Sequence, residues 1–514
     1  MPIPMAKTAT EVSRIAPEVL AGYEPVIGLE VHVQLKTETK IFCACSTRFG
    51  DPPNANTCPV CLGLPGSLPV MNKKALEFAV RAALALHLHV EESSRFARKN
   101  YFYPDLPKGY QISMYELPLA VRGWLKIEDD GKTKRIGITR LHLEEDAAKN
   151  LHEGFPDSAE KSYVDYNRGG IPLAEIVSEP DLRSPAEAHA YLTALKQILQ
   201  YAGISDCDME KGTLRCDANV SVRRRGAEKF GVKAEVKNLN SFRYLQRALE
   251  YEIERQIGVL ESGGRVDQET RLWNVAAGRT EAMRSKEFAH DYRYFPDPDL
   301  LPVRVTAAQI AEIAAHMPEL PDARRARLQR DYGLSLYDAS FLTSYREFAD
   351  YFEKTILAGS PPKLAASWFQ TELMRLMKQA ATESVKSRQL DQTSLTQDVE
   401  MEYRITPKNL AELLVMIEKN EITGAMAKKM LARMFETGGT ASQMAASEGL
   451  QKIDDNSAIE KLCNDAIAAS PDNAAKYRAG NQGVFNYFVG QVMKAARGQA
   501  NPQIVQETLR RLLG

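Results

Sequence analysis

The chain has 514 residues, 44% of them hydrophobic and 26% charged, an ordinary globular composition in a chain too long for one core, so two or three domains are expected. A formal net charge of -1 excludes a global positive field drawing the protein to nucleic acid, and any RNA contact must come from local patches. No stretch approaches the roughly 20 apolar residues of a membrane helix, and the longest candidate, 82–90, contains His87 and His89, so a soluble protein is expected.

Residues 1–22 lack the apolar core of a secretory signal, and Glu11 and Glu18 argue against an organelle transit peptide. They read as a loosely ordered extension of a cytoplasmic protein. From 23 to 302 short alternating segments mix with a few capped helices, which predicts an α+β domain on a largely antiparallel sheet. In 26–35, Ile27, Leu29, Val31, Val33 and Leu35 point one way while Gly28, Glu30, His32 and Gln34 point the other. Glu30 and His32 then lie about 7 Å apart on one face, close enough to serve one metal.

Four cysteines follow within nineteen positions: Cys43 and Cys45, then, after twelve residues, Cys58 and Cys61. This is close to the two-knuckle spacing by which four thiolates surround one zinc ion, although the first gap is tighter than the usual two residues. A disulfide or redox pair and unligated thiols are the alternatives. Four ligands leave no position for water, so such a zinc would be structural. Cys207, Cys216 and Cys463 are scattered and read as buried apolar residues.

Further along, Ser184-Pro185-Ala186-Glu187 predicts a capped helix running to Gly203, and a second helix begins near Asn240 or Ser241 and stops at Gly263-Gly264. Between them, 215–223 opposes Cys216, Ala218, Val220 and Val222 to Arg215, Asp217, Asn219, Ser221 and Arg223; 232–237 sets Lys233, Glu235 and Lys237 against Val232, Ala234 and Val236. Three strands thus carry acids, amides, bases and an imidazole away from the core, with a solvated sheet face as the competing explanation. The acids Glu144, Glu145 and Asp146 form a run of the kind usually found in a solvated loop, and Glu175 adds another. After 301 the pattern turns helical, with starts at Thr406-Pro407 and Ser470-Pro471, a break at Gly438-Gly439, and a boundary near 445 that leaves a small tail.

Phosphate loops of the G-x-x-x-x-G-K-S/T and G-x-G-x-x-G kinds are absent, as are a G-x-S-x-G elbow and a Cys-His nucleophile pair. The residues alone therefore point to a carboxylate-rich, divalent-metal site on a sheet. Six ordered motifs carry a resemblance beyond that: VIGLEVH (26–32), YFYPDLPKGYQIS (101–113), VDYNRGGIPLAEIV (164–177), LRCDANVS (214–221), KNLNSF (237–242) and DYRYFP (291–296). Together with the tail segment 489–502, they resemble the B-subunit family of the glutamine-dependent Asp/Glu-tRNA amidotransferases. The archaeal relative specific for tRNA-Gln carries an inserted synthetase-like domain for which this chain has no room.

The resemblance implies a catalytic cradle (23–302), a helical domain (303–444) and a tRNA-binding tail (445–514). It implies partner A (glutaminase) and C subunits, ATP, and mischarged tRNA-Asn or tRNA-Gln whose side-chain carboxylate is phosphorylated and then amidated. By the same route Glu30, His32, Glu145 and Glu175 are expected to be catalytic and to bind Mg²⁺, with Asp217 and Glu235 as further metal or substrate-orienting candidates. Lys108, Arg168, Arg215 and Lys233 would meet phosphate oxygens or the acceptor end, Cys43, Cys45, Cys58 and Cys61 would hold Zn²⁺, and Lys494, Arg497, Arg510 and Arg511 would contact tRNA. A catalytically silent tRNA-binding scaffold is the alternative from another class.

Overall fold

The structure, a computed structural model, describes residues 15–152, 155–158, 160–283, 292–387, 403–448, 455–496 and 499–514. Most of the expected extension (1–14), Asp291 of the DYRYFP motif and Arg497 of the expected tRNA patch lie outside these residues. The chain divides into two compact units, Met1–Leu320 and Pro321–Gly514. Among the described residues, no helix is long and apolar enough to cross a membrane.

The first unit is built on β1 (Tyr23–Gln34), β2 (His89–Val90), β3 (Ser93–Asn100), β4 (Tyr110–Leu117), β5 (Ala120–Asp129), β6 (Lys132–Glu145), β7 (Lys149–Leu151), β8 (Tyr163–Asp165), β9 (Pro172–Ser178), β10 (Leu214–Arg224), β11 (Ala234–Lys237), β12 (Thr270–Asn274), β13 (Arg279–Ala282), β14 (Arg293–Pro296) and β15 (Val303–Arg304). Thirteen of these form one sheet whose main path runs β13-β12-β11-β10-β1-β9-β6-β4-β3-β14, while β7 and β8 pair separately. The pairings are antiparallel except β11 with β12, which agrees with the α+β, largely antiparallel expectation.

The central strand β1 shows why the sheet has two unlike faces. Ile27, Leu29, Val31 and Val33 are fully buried, whereas Glu30, His32 and Gln34 keep partial exposure on the opposite face. Each buried aliphatic contributes about 1.5–3 kcal/mol, and Cys216, Ala218 and Val220 of β10, Leu141 and Leu143 of β6, and Ile176 of β9 extend the same core. A short α1 (Pro17–Ala21) precedes β1. The core is completed by α2 (Lys73–Ala85), α3 (Pro185–Tyr201) and α4 (Phe242–Glu261), each with a polar residue at its start. Ser184 accepts from the Glu187 N–H at 3.0 Å, and the Glu187 carboxylate accepts from the Arg183 N–H at 2.7 Å, one residue earlier than a standard capping box. Ser241 accepts from the Tyr244 N–H at 3.1 Å and opens α4, which presents Leu245, Leu249, Ile253 and Ile257 to the sheet. Glu252, fully buried on α4, is matched by Arg255, Arg271 at 3.3 Å and Thr280 at 2.7 Å, which pins the helix to β12 and β13.

A Thr306–Gln309 capping box begins α5 (Ala307–Ala315), which packs on α2 within the first unit. The second unit contains helices α6 (Pro321–Tyr332), α7 (Leu336–Leu342), α8 (Arg346–Leu357), α9 (Pro362–Trp368), α10 (Met374–Ser387), α11 (Pro407–Glu418), α12 (Gly424–Thr437) and α13 (Ala441–Glu448), which share one apolar cluster. A π-helical turn, Phe369–Leu373, joins α9 to α10 and brings Phe369 against Phe348 and Tyr351. Helices α14 (Asn456–Ala468), α15 (Pro471–Arg478), α16 (Phe485–Ala495) and α17 (Pro502–Leu513) surround a second, smaller cluster that includes Ile459, Phe488 and Leu509. The expected break after α12 is Gly438, whose φ of +73° ends the helix in the left-handed region.

Candidate functional site

The polar face of the sheet gathers its side chains through strand register. Across β1 and β9, His32 lies opposite Glu175; across β9 and β6, Glu175 lies opposite His142, with Glu144 two residues further on the same side. His32 Nε2 is 3.2 Å from Glu175 Oε2 and 3.6 Å from Glu144 Oε1, and one ligand atom from each of the three lies within 4.8 Å of the others. His142 Nε2 approaches the same two carboxylates, at 3.7 Å each.

Burial disfavours a charged His32, but the hydrogen bond to Glu175 and the charges of Glu144 and Glu175 outweigh it and raise its pKa. Burial likewise pushes Glu175 up, and His32, His142 and Arg140 hold it down at about 2. Arg140 reaches Glu175 at 3.5 Å while lying 4.6 Å over the ring of Tyr115, which stacks on Tyr294. Both ring nitrogens of buried His142 lack a hydrogen-bond partner among the described residues. Anionic oxygens and imidazoles converging at such spacing fit a divalent cation.

Glu145, expected as a ligand, is turned elsewhere. As the last residue of β6 it has the opposite parity to His142 and Glu144, and its carboxylate takes the Lys108 ammonium, at 2.6 Å on one oxygen, and the Ile112 N–H at 2.9 Å. Glu144, not Glu145, therefore joins His32 and Glu175. Glu30 sits further along the face, outside that group, accepting from Asn219 Nδ2 at 2.8 Å; burial first, and then Glu175, Glu235 and Asp217, raise its pKa.

The expected bases are mostly engaged. Arg215 pairs with Asp146 at 2.8 Å, and Arg168 donates to the Ala147 and Ala148 carbonyls at 2.8 Å each. Asp217 and Glu235 bracket Lys237 at 2.7 and 2.9 Å. Lys233 is exposed immediately before β11.

Cys43, Cys45, Cys58 and Cys61 converge so that their sulfurs all lie within 4.8 Å of one another, a set that fits a tetrahedral metal. A hydrogen bond from Cys43, above all, pushes the Cys61 thiol down to about 4, while burial lifts Cys45 to about 11. Gly63 beside this knuckle has φ +68°, and a Cβ there would sit 2.4 Å from Lys108 Cγ, so the cysteine module packs directly on the Lys108–Glu145 pair. In the second unit, Lys494 is exposed at the end of α16, Arg510 lies 5.5 Å over Phe485, and Arg511 pairs with Glu460 at 2.8 Å.

Two family models match. The model described as the GatB/GatE catalytic domain covers residues 25–311, and the one described as the GatB domain covers 350–513. The aspartyl/glutamyl-tRNA(Asn/Gln) amidotransferase B subunit of Carboxydothermus hydrogenoformans is 52% identical over 95% of this chain and 98% of its own length. The proteins of the same name from Moorella thermoacetica and Geobacter sulfurreducens are each 51% identical over 96% of this chain, covering 100% and 99% of their own lengths. The chain belongs to the amidotransferase B-subunit family.

Within this family frame, sequence reasoning missed Glu144 and His142 as parts of the polar face, and Lys237 as the cation that Asp217 and Glu235 share. The signal for the first two was present: Leu141-His142-Leu143-Glu144 alternates like a strand and so cannot be a solvated loop. The tyrosines Tyr115 and Tyr294 at the rim gave none, because β4 and β14 meet on either side of β3 from distant parts of the chain.

Proposed function

We propose that this chain is the B subunit of a glutamine-dependent ligase that forms Asn-tRNA(Asn) or Gln-tRNA(Gln) from the mischarged aspartyl or glutamyl form. It would work in the cytoplasm with a glutaminase A subunit and a C subunit. The observation that supports this best is the His32, Glu144 and Glu175 group on the open face of the sheet.

An unmodified carboxylate is a poor acyl donor, because its oxygen cannot leave. Transfer of the γ-phosphoryl group of ATP to that oxygen gives an acyl phosphate; ammonia then attacks the carbonyl carbon, the C–O bond breaks, and phosphate departs. A divalent ion such as Mg²⁺, when bound, neutralises and clamps the triphosphate. His32, Glu144 and Glu175 are the residues that would hold it, with His142 and Arg140 orienting the carboxylates. Glu30, Asp217 and Glu235 would set the substrate's position from the neighbouring strands. Exposed Lys233 is available to phosphate oxygens; Arg215 and Lys237, paired with Asp146 and with Asp217 and Glu235, lie on the same face, whereas Lys108 and Arg168 brace the site through Glu145 and backbone carbonyls. The cysteine knuckle would hold a structural Zn²⁺. These parts would be divided among a cradle that runs from 23 past 302 to 320, because β15 and α5 pack in the first unit, a helical domain (321–448) and a tRNA-contacting tail (449–514).

The test is tRNA-dependent phosphate release from ATP by the reconstituted complex. Glu175→Gln and His32→Ala should each lower it on the order of 10²-fold or more, with glutaminase turnover retained. Normal phosphate release by both variants would instead favour a silent tRNA-binding scaffold.

A further inference from the structure

Lys40 has no exposed surface, which makes it one of the largest fully buried side chains of the protein. An ammonium group withdrawn from water is strongly disfavoured unless an anion faces it. Among the described residues no carboxylate lies within ion-pair distance of Lys40. Its Nζ donates to the Tyr166 carbonyl at 3.1 Å and to Cys61 Sγ at 3.7 Å. A carbonyl offers a dipole and no net charge. The counter-charge must therefore come from sulfur, and four thiolates around one divalent ion keep an excess of two negative charges.

The surroundings are shaped for this contact. Gly170, at φ +86°, would with a Cβ stand 3.4 Å from Lys40 Cδ and 3.7 Å from the Cys61 Cβ, so the lysine stem passes between backbone and knuckle. The same segment is tied to the cysteine module elsewhere: the Ile41 N–H donates to the Gly170 carbonyl at 2.9 Å, the Tyr166 N–H to Asn54 Oδ1 at 2.7 Å, and the Asn56 N–H to Asn167 Oδ1 at 2.7 Å. Two residues beyond Gly170, β9 begins and carries Glu175 to the polar face.

We propose that Lys40 is a positioning residue: it is the counter-charge of the metal-loaded cysteine cluster and, through the Tyr166 carbonyl, the strap that couples this cluster to the segment leading into β9. Metal in the knuckle thereby holds the strand that presents Glu175.

The proposal rests on the reading of the four thiols as a zinc centre, and the test separates the two. Zinc-free wild-type protein, purified without chelator, overturns that reading. In zinc-loaded protein, Lys40→Met removes the charge and keeps the length of the stem. Competition with a chromogenic chelator should show zinc released about 10- to 100-fold more readily, and amide hydrogen exchange in 163–170 should quicken. Leu195→Ala, a core truncation in α3, controls for lost stability and should release zinc as the wild type does. The same comparison in a Cys61→His background, whose centre carries one negative charge fewer, should show a much smaller effect of Lys40→Met. Unchanged zinc release and exchange in Lys40→Met would overturn the role of Lys40. So would an equal effect in both backgrounds, or a Lys40→Met chain that fails to fold even with Cys61→His.

Discussion

Glu144 and Glu145 are adjacent carboxylates whose different surroundings follow from the side of β6 that each faces. Glu144 shares a face with His142 and is aimed at His32, whereas Glu145 is enclosed with Lys108, and both members of that pair are nearly fully buried. Glu144→Gln should weaken Mn²⁺ binding to the full chain by about 10-fold or more, read by calorimetry, because it removes a charged ligand. Glu145→Gln should leave Mn²⁺ binding close to wild type but lower unfolding free energy by about 3–5 kcal/mol, since the buried Lys108 ammonium loses its anion. Equal losses of metal affinity in the two variants would mean that the faces are assigned wrongly. The parity of Glu144 was legible from the alternation beginning at Leu141. The partner of Glu145 was not, since Lys108 lies 37 positions away and only the folded sheet brings them together.

At the scale of elements, helix starts were the most legible feature because capping is local. Ser184, Ser241 and Thr406 each accept a hydrogen bond from a backbone N–H within the first turn of their helix, whereas Ser470, the remaining expected start, precedes α15 without a side-chain cap. Long-range ion pairs inside the elements were not legible. On α8, Glu353 accepts from Arg324 Nε at 2.9 Å and Arg327 Nη1 at 2.6 Å, both on α6, and so ties the two helices together. Burial pushes the Glu353 pKa up, and the hydrogen bonds from Arg327 and Arg324 outweigh it, leaving the pKa lowered. A folded-state value below the unfolded one means a contribution that is complete above the unfolded pKa of about 4.3 and is lost as pH falls through the folded value. Glu353→Gln should therefore destabilise the full chain by about 1.5–3 kcal/mol at neutral pH in urea unfolding. Its deficit relative to wild type should narrow progressively below about pH 4. A deficit independent of pH would show that the carboxylate's charge is not what matters there.

For the molecule as a whole, a net charge of -1 means that tRNA affinity has to be built locally, and the terminal helices are the proposed place. Helices α14 to α17 enclose their own apolar cluster, so their removal need not open the core of α6 to α13. Ala441, Met444 and Ala445 belong with that latter core, which sets the appropriate cut after Glu448. Deleting 449–514 should raise the KM for mischarged tRNA much more than the KM for ATP, because the polar sheet face lies wholly within the first unit. Lys494→Glu and Arg510→Glu should reproduce part of that loss. Arg511 is a weaker choice because Glu460 already pairs with it. Each phosphate contact removed should flatten the slope of log affinity against log salt by about 1, since fewer counterions are released on binding. A truncated complex that binds mischarged tRNA with unchanged affinity and unchanged salt slope would place the RNA contacts elsewhere, on the cradle or on the partner subunits.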